Sequence, residues 1–139
     1  MIHINDRYWP LIGFHFSGQV TMEEMERYLT WQDAMVARCL PNASLVITEN
    51  LRMWEIPVLR RQAEWIKRHE PLIRKYSIGA AMVITSPVVR GMLKALLWMQ
   101  PMPQPHFVCR TPDEALRWLR DRFRSERIDL PADLPPTLS

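Results

Sequence analysis

The sequence predicts an α/β protein, with a mixed, mostly parallel sheet of about five strands and four helices in the order ββαβαβαβα. Three observations carry this. Short apolar runs alternate with segments whose apolar residues recur at helical spacing. Several helical segments open on a hydroxyl side chain placed to cap them. The run "SIGAAMVIT" is apolar throughout and bounded by turn residues, the pattern of a strand covered on both faces. A chain of 139 residues, 47% hydrophobic and 24% charged, is long enough and apolar enough for one domain with its own core.

The opening "IHI" reads as a short strand, followed by the turn pair Asn5-Asp6. "WPLIGFHFSG" alternates, with Ile12, Phe14 and Phe16 on one face and Leu11, Gly13 and His15 on the other. Pro10 has no N–H to donate and belongs at the start of this strand, so the two runs form a hairpin. "TMEEMERYLTWQDAMVARC" is a helix. Thr21 and Glu24 form a capping box, and Met22, Met25, Leu29 and Val36 mark the buried stripe. Pro41 and Asn42 stop it, and "ASLVITE" follows as a buried strand.

"IPVLRRQAEWIKRHEPLIRKY" is a second helix that Pro71 should bend or split; Leu59, Ala63, Ile66 and Ile73 line one side. After the strand "SIGAAMVIT", Ser86-Pro87 pairs a capping hydroxyl with proline at the first helical position and opens a third helix. "HFVC" is the last strand, and Thr111 to Glu114 caps a final helix that turns Leu116, Leu119 and Phe123 inward. The expected domain spans residues 1–124. Residues 125–139 are polar and proline-rich and read as a loose tail.

This order resembles the STAS domain, the fold of bacterial anti-sigma-factor antagonists. More narrowly, it resembles the bacterial STAS/SEC14-domain proteins of unknown function. The residues that carry the likeness are "FSGQVTMEEMERYLTWQDAMVARC", "RRQAEWIKRHEPLI" and "SPVVRGMLKALLWMQPMPQPHFVCRTPDEALRWL", so it runs from roughly Trp9 to Arg122. The resemblance implies the fold and, for the wider class, a regulatory role through protein contacts. The chain departs from phosphorylated STAS antagonists in one respect. Where they carry an Asp-Ser-Gly type turn, it reads "LVITENLRMWEIP", with Thr48 the one hydroxyl.

Motifs for catalysis are missing: no GxSxG, GxxxxGK[ST] or GxGxxG occurs, and His3, His15, His69 and His106 have no metal-ligand spacing. His106 and Cys109 are three apart on one strand, which places them on opposite faces, a poor nucleophile–base pair. Glu49, Glu55, Glu64 and Glu70 read as solvated carboxylates pairing with nearby cations. Cys39 and Cys109 form no cluster and read as reduced thiols. The N-terminus lacks a secretory pattern, and the apolar run Gly91–Met99 is far short of the ~20 residues that span a bilayer. These features predict a cytoplasmic protein that is not an enzyme, with no cofactor and no metal.

Two surfaces are candidates for recognition. Arg60, Arg61, Lys67, Arg68, Arg74 and Lys75 fall within an arc of roughly 140° on the second helix, a possible face for an anionic partner. Without interleaved aromatics it does not look like a nucleic-acid surface, and an anionic lipid headgroup is a weak possibility. The other is the greasy third helix, 86–99, with the arm 100–105 set extended by three prolines. Val88, Val89, Met92, Leu93, Ala95, Leu96 and Met99 occupy about 160° facing the sheet. Arg90, Lys94, Leu97 and Trp98 then lie outside, with Met102 held between prolines and Trp31 or Trp54 nearby. That apolar rim predicts a protein contact, most simply a homodimer; the alternative is that the arm folds back over Trp98. A further alternative for function is a small-molecule or lipid-binding module, with a pocket between the Met-rich first helix and the sheet.

Overall fold

The computed structural model describes residues 1–135. Its strands are β1 (Ile2–Asn5), β2 (Leu11–Gly18), β3 (Asn42–Leu51), β4 (Ser77–Val83) and β5 (His106–Cys109); its helices are α1 (Met22–Val36), α2 (Ile56–Arg68), α3 (Glu70–Tyr76), α4 (Pro87–Met99) and α5 (Pro112–Ser125). The expected class and strand count hold, with one more helix than the four expected. The extra helix comes from Pro71. Proline cannot donate to the carbonyl one turn back, so α2 ends at Arg68, His69 leaves helical geometry (φ −102°, ψ 10°), and the chain restarts as α3.

The five strands lie in sequence order, β1-β2-β3-β4-β5. β1 pairs antiparallel with β2, and every later pairing is parallel. Each parallel step moves one strand over in the same direction. Right-handed crossovers therefore stack α1, α2–α3 and α4 on one face of the sheet. The chain leaves β5 at the edge and α5 closes the opposite face, where Leu116, Leu119 and Phe123 pack on Leu45, Ala81 and Val83. Alternation in β2 feeds the two layers: Ile12, Phe14 and Phe16 join the side of α1 to α4, and Leu11 joins the α5 side.

The helix caps form as the sequence suggests. Thr21, Ser86 and Thr111 each accept from the backbone N–H three residues on. Glu24 does not complete its box; its carboxylate takes the backbone N–H of Ile2 at 2.7 Å and so ties α1 to β1. The residues read as a loose tail include apolar anchors: Ile128, Leu130 and Leu134 pack against the α5 face, with Leu134 buried. Spaced leucines among prolines escape a compositional reading, yet they cover apolar surface beside α5. Residues 136–139 lie outside the described residues.

Gly79 is where α5 comes nearest the sheet. A Cβ there would lie 2.9 Å from the ring of Trp118, which is itself stacked on Phe107 with ring centres 5.6 Å apart. Gly79→Ala should therefore push the indole off its partner and destabilise by about 1–3 kcal/mol, read as a lower urea midpoint. An unchanged midpoint would show that the indole yields freely.

Candidate functional site

The layer of α1, α2, α3 and α4 does not close fully on the sheet. A cavity of about 170 Å³ lies between them. Its floor is the helix-facing side of β2, β3 and β4, and its cause is local. Ser44 and Ala80 are register partners on adjacent strands, so two small side chains sit side by side under the helices. The larger residues around them, Phe14, Val46 and Met82, stand at the margins. The walls come from every helix on this side: Tyr28 and Met35 of α1, Leu59 and Trp65 of α2, Ile73 of α3, Met92 and Leu96 of α4. Met102 and Gln104 of the proline arm complete the lining.

None of the residues lining this cavity carries a charge. Apolar residues predominate, and the polar groups among them include two contrasting sets. Some are satisfied: Gln32 Nε2 donates to the Tyr28 hydroxyl at 2.8 Å, and Thr48 Oγ1 donates to the Val83 carbonyl at 2.8 Å. Others are not. Trp54 Nε1, Gln62 Oε1 and Gln104 Oε1 are buried without a hydrogen-bond partner, and all three residues belong to the cavity wall. A buried polar group left unpaired costs about 1–3 kcal/mol, so three in one wall is unusual for a structural core. The two wall tryptophans make the contrast plain. Trp65 sends its indole N–H outward to Asp33 Oδ1 at 2.8 Å, whereas that of Trp54 stays inside.

The expected outer rim forms only in part. Trp98 is 89% exposed, Lys94 is exposed and Leu97 half-buried, so the arm does not fold back over Trp98. Met102 faces inward instead and joins the cavity lining. Arg90 is half-buried and donates to the Ile84 carbonyl at 3.2 Å. Trp54 is buried against Phe16 and Trp31 packs edge-on to Phe14, which removes both from the rim. The buried stripe of α4 is narrower than expected: Val89, Met92 and Leu96 are buried, while Val88 and Met99, expected to face the sheet, are 51% and 41% exposed. Ala95, also expected to face the sheet, is exposed too, and the three share one flank of the helix from its first turn to its last.

The basic face is not continuous. Arg61 turns toward α1 and pairs with Glu26, and Arg74 pairs with Glu70 at 2.7 Å. Arg60, Lys67, Arg68 and Lys75 remain exposed, but the break at His69 divides them between two helices. Glu49 pairs with His15 at 3.0 Å. Cys109 is buried, with its thiol pKa raised by burial first and by the nearby Glu114 charge second, while His106 is exposed. Among the described residues no group of three or more His, Cys, Asp or Glu is placed to hold a metal. Nor, among those residues, is any helix long and apolar enough to cross a membrane.

The cavity lies where the alternative reading set a pocket, between the first helix and the sheet, but it extends under α2, α3 and α4 as well. Its unpaired polar residues, spread over a loop, a helix and the proline arm, were not legible.

Four helices in three crossovers on one face, one closing helix on the other and a sheet in sequence order define a SpoIIAA-like, that is STAS-like, α/β fold. A solved structure shares it: an uncharacterized protein from the DUF3478 family with a SpoIIAA-like fold, from Shewanella loihica PV-4. It superposes with a TM-score of 0.64 at 17% identity, over 86% of this chain and 92% of that one. No protein-family model and no curated protein matches the chain.

Proposed function

We propose that this protein is a non-enzymatic binding module whose ligand site is the cavity beneath α1, α2, α3 and α4. The observation that carries the reading is the set of three unpartnered polar atoms in a wall that is mostly apolar and wholly uncharged. Small-molecule sites have this composition: mostly apolar lining with a few polar groups that fix orientation. A plain core of the same size would lose stability to the void and to the unpaired groups. A STAS-like fold leaves the role open, since function resides in the site. The lining offers no charged acid or base, and the one buried thiol packs on the opposite side of the sheet.

Filling the cavity tests this. Ala80→Leu places a branched side chain over the small-residue floor. It should raise the urea midpoint or leave it unchanged while abolishing uptake of an apolar probe, read through the fluorescence of Trp54 and Trp65. Probe uptake unaltered by the substitution would place binding elsewhere. Native mass spectrometry of gently purified protein is the companion measurement: an extra mass lost on denaturation supports the reading.

A second reading concerns the outer side of α4, and the observation favouring it is Trp98 at 89% exposed, with Met99 beside it. Large exposed aromatics are enriched at protein contacts, and the simplest partner is a second copy of the chain. Trp98→Ala should shift sedimentation from dimer toward monomer while changing stability by no more than ~0.5 kcal/mol. A monomeric wild type at high concentration would remove the dimer.

A further inference from the structure

We infer that the cavity selects a small, electrically neutral molecule of about one-ring size carrying a hydroxyl or N–H group, and excludes carboxylates and long-chain lipids. The inference rests on the ligand-binding reading above and narrows it to a chemical class.

Charge is decided by the lining. With no Lys, Arg, His, Asp or Glu among the lining residues, an anion entering the cavity would surrender its hydration and gain no counter-charge. The charged side chains nearest these walls are engaged elsewhere. Arg61 is paired with Glu26, Asp33 accepts from Trp65 and lies 3.2 Å from His69, and Glu70 accepts from Arg74 and Gln100. A fatty acid, the simplest lipid that such a pocket might otherwise suit, is therefore refused at its head.

Size is decided by the volume. An apolar cavity of about 150 Å³ takes benzene. At about 170 Å³, this one holds a single ring with a short substituent, well short of an acyl chain. The need for a polar handle comes from the orphaned groups. Gln62 Oε1 and Gln104 Oε1 are acceptors and Trp54 Nε1 is a donor. A hydroxyl can give to one kind and take from the other, which a hydrocarbon cannot do. An alcohol or phenol thus partners one of the two acceptors, and can accept from the indole N–H, without bringing a charge into the cavity.

Four probes of matched ring size or matched greasiness separate the possibilities: para-ethylphenol, ethylbenzene, para-methylbenzoate and oleate, titrated at neutral pH by calorimetry, with xenon as a test that the cavity admits any guest. Para-ethylphenol should bind roughly tenfold more tightly than ethylbenzene and at least roughly 100-fold more tightly than para-methylbenzoate. Gln62→Met with Gln104→Met should erase the tenfold gain and leave ethylbenzene unchanged. Equal binding of the phenol and the hydrocarbon, or binding of the benzoate or oleate as tightly as the phenol, would overturn the proposed class and leave the cavity reading intact. If neither xenon nor ethylbenzene enters, the cavity reading falls and this inference falls with it.

Discussion

Phe14→Ala is expected to cost roughly 3–5 kcal/mol and to leave the domain close to unfolding. Phe14 is 2% exposed and sits mid-strand in β2, where it meets Tyr28 and Trp31 of α1 edge-on at 5.5 and 5.7 Å. Those contacts bind the first crossover helix to the sheet, and edge-to-face pairs contribute about 0.5–1.5 kcal/mol beyond the area they bury. The truncation also opens directly into the cavity that Phe14 borders, so the void it leaves joins one already present. Collapse of the surroundings cannot recover that volume cheaply, because β2 is held on both sides by β1 and β3. Domains of this size are stable by only about 5–15 kcal/mol, so the loss is a large share of the whole. Urea unfolding followed by far-ultraviolet circular dichroism gives the number directly. A loss below ~1 kcal/mol would mean that α1 is anchored by something other than this aromatic cluster.

The same region shows what a sequence discloses and what it withholds. The two faces of β2 were readable because strand alternation is a local rule, and Phe14 and Phe16 do join the helix-side core with Ile12. The caps at Thr21, Ser86 and Thr111 were readable for the same reason. The consequence of Pro71 was half readable: a missing N–H is local, while whether the chain bends or restarts depends on what α3 packs against. A pocket between α1 and the sheet was readable as one alternative, but the floor that creates the cavity was not. It arises because Ser44 and Ala80, 36 residues apart, become register neighbours beneath helices that stand too far off to fill the gap. Register between distant strands is a tertiary fact that neither residue announces alone.

The α4 surface failed in an instructive way. A helical wheel assigns Val88, Ala95 and Met99 to the edge of the buried arc by angle, but how wide that arc is depends on how the helix is rotated on its neighbours, and here only the side of Val89, Met92 and Leu96 is covered. Trp54 illustrates the converse. It lies in the loop between β3 and α2, where no periodicity applies, yet its backbone N–H donates to Met92 Sδ at 3.1 Å and its ring covers Phe16. The residue expected on a binding rim is part of the cavity wall, and Trp98 alone of the tryptophans stands out in solvent.

Raising the pH from 10 to 12 should cost the wild type about 2 kcal/mol more stability than it costs Tyr28→Phe. Tyr28 is 8% exposed, between Phe14 and Phe16, and its pKa is pushed from 10.0 up to about 12. Burial is the larger cause, since it disfavours the phenolate. The hydrogen bond from Gln32 favours the phenolate and offsets only part of the rise. The folded state thus holds this proton more tightly than the unfolded chain does. Its contribution is complete below pH 10, where both states are protonated, and is lost as pH climbs through about 12, because the unfolded chain has already given the proton up. Removing the hydroxyl abolishes that difference, and other alkaline titrations cancel between the two proteins. At neutral pH the variant should be weaker by about 1–3 kcal/mol, since Gln32 loses its partner in a buried site. Urea midpoints measured across the interval give two curves that should converge toward pH 12. Parallel curves would mean that the Tyr28 hydroxyl reaches water through the cavity, and that the space beneath α1 is wetter than its lining suggests.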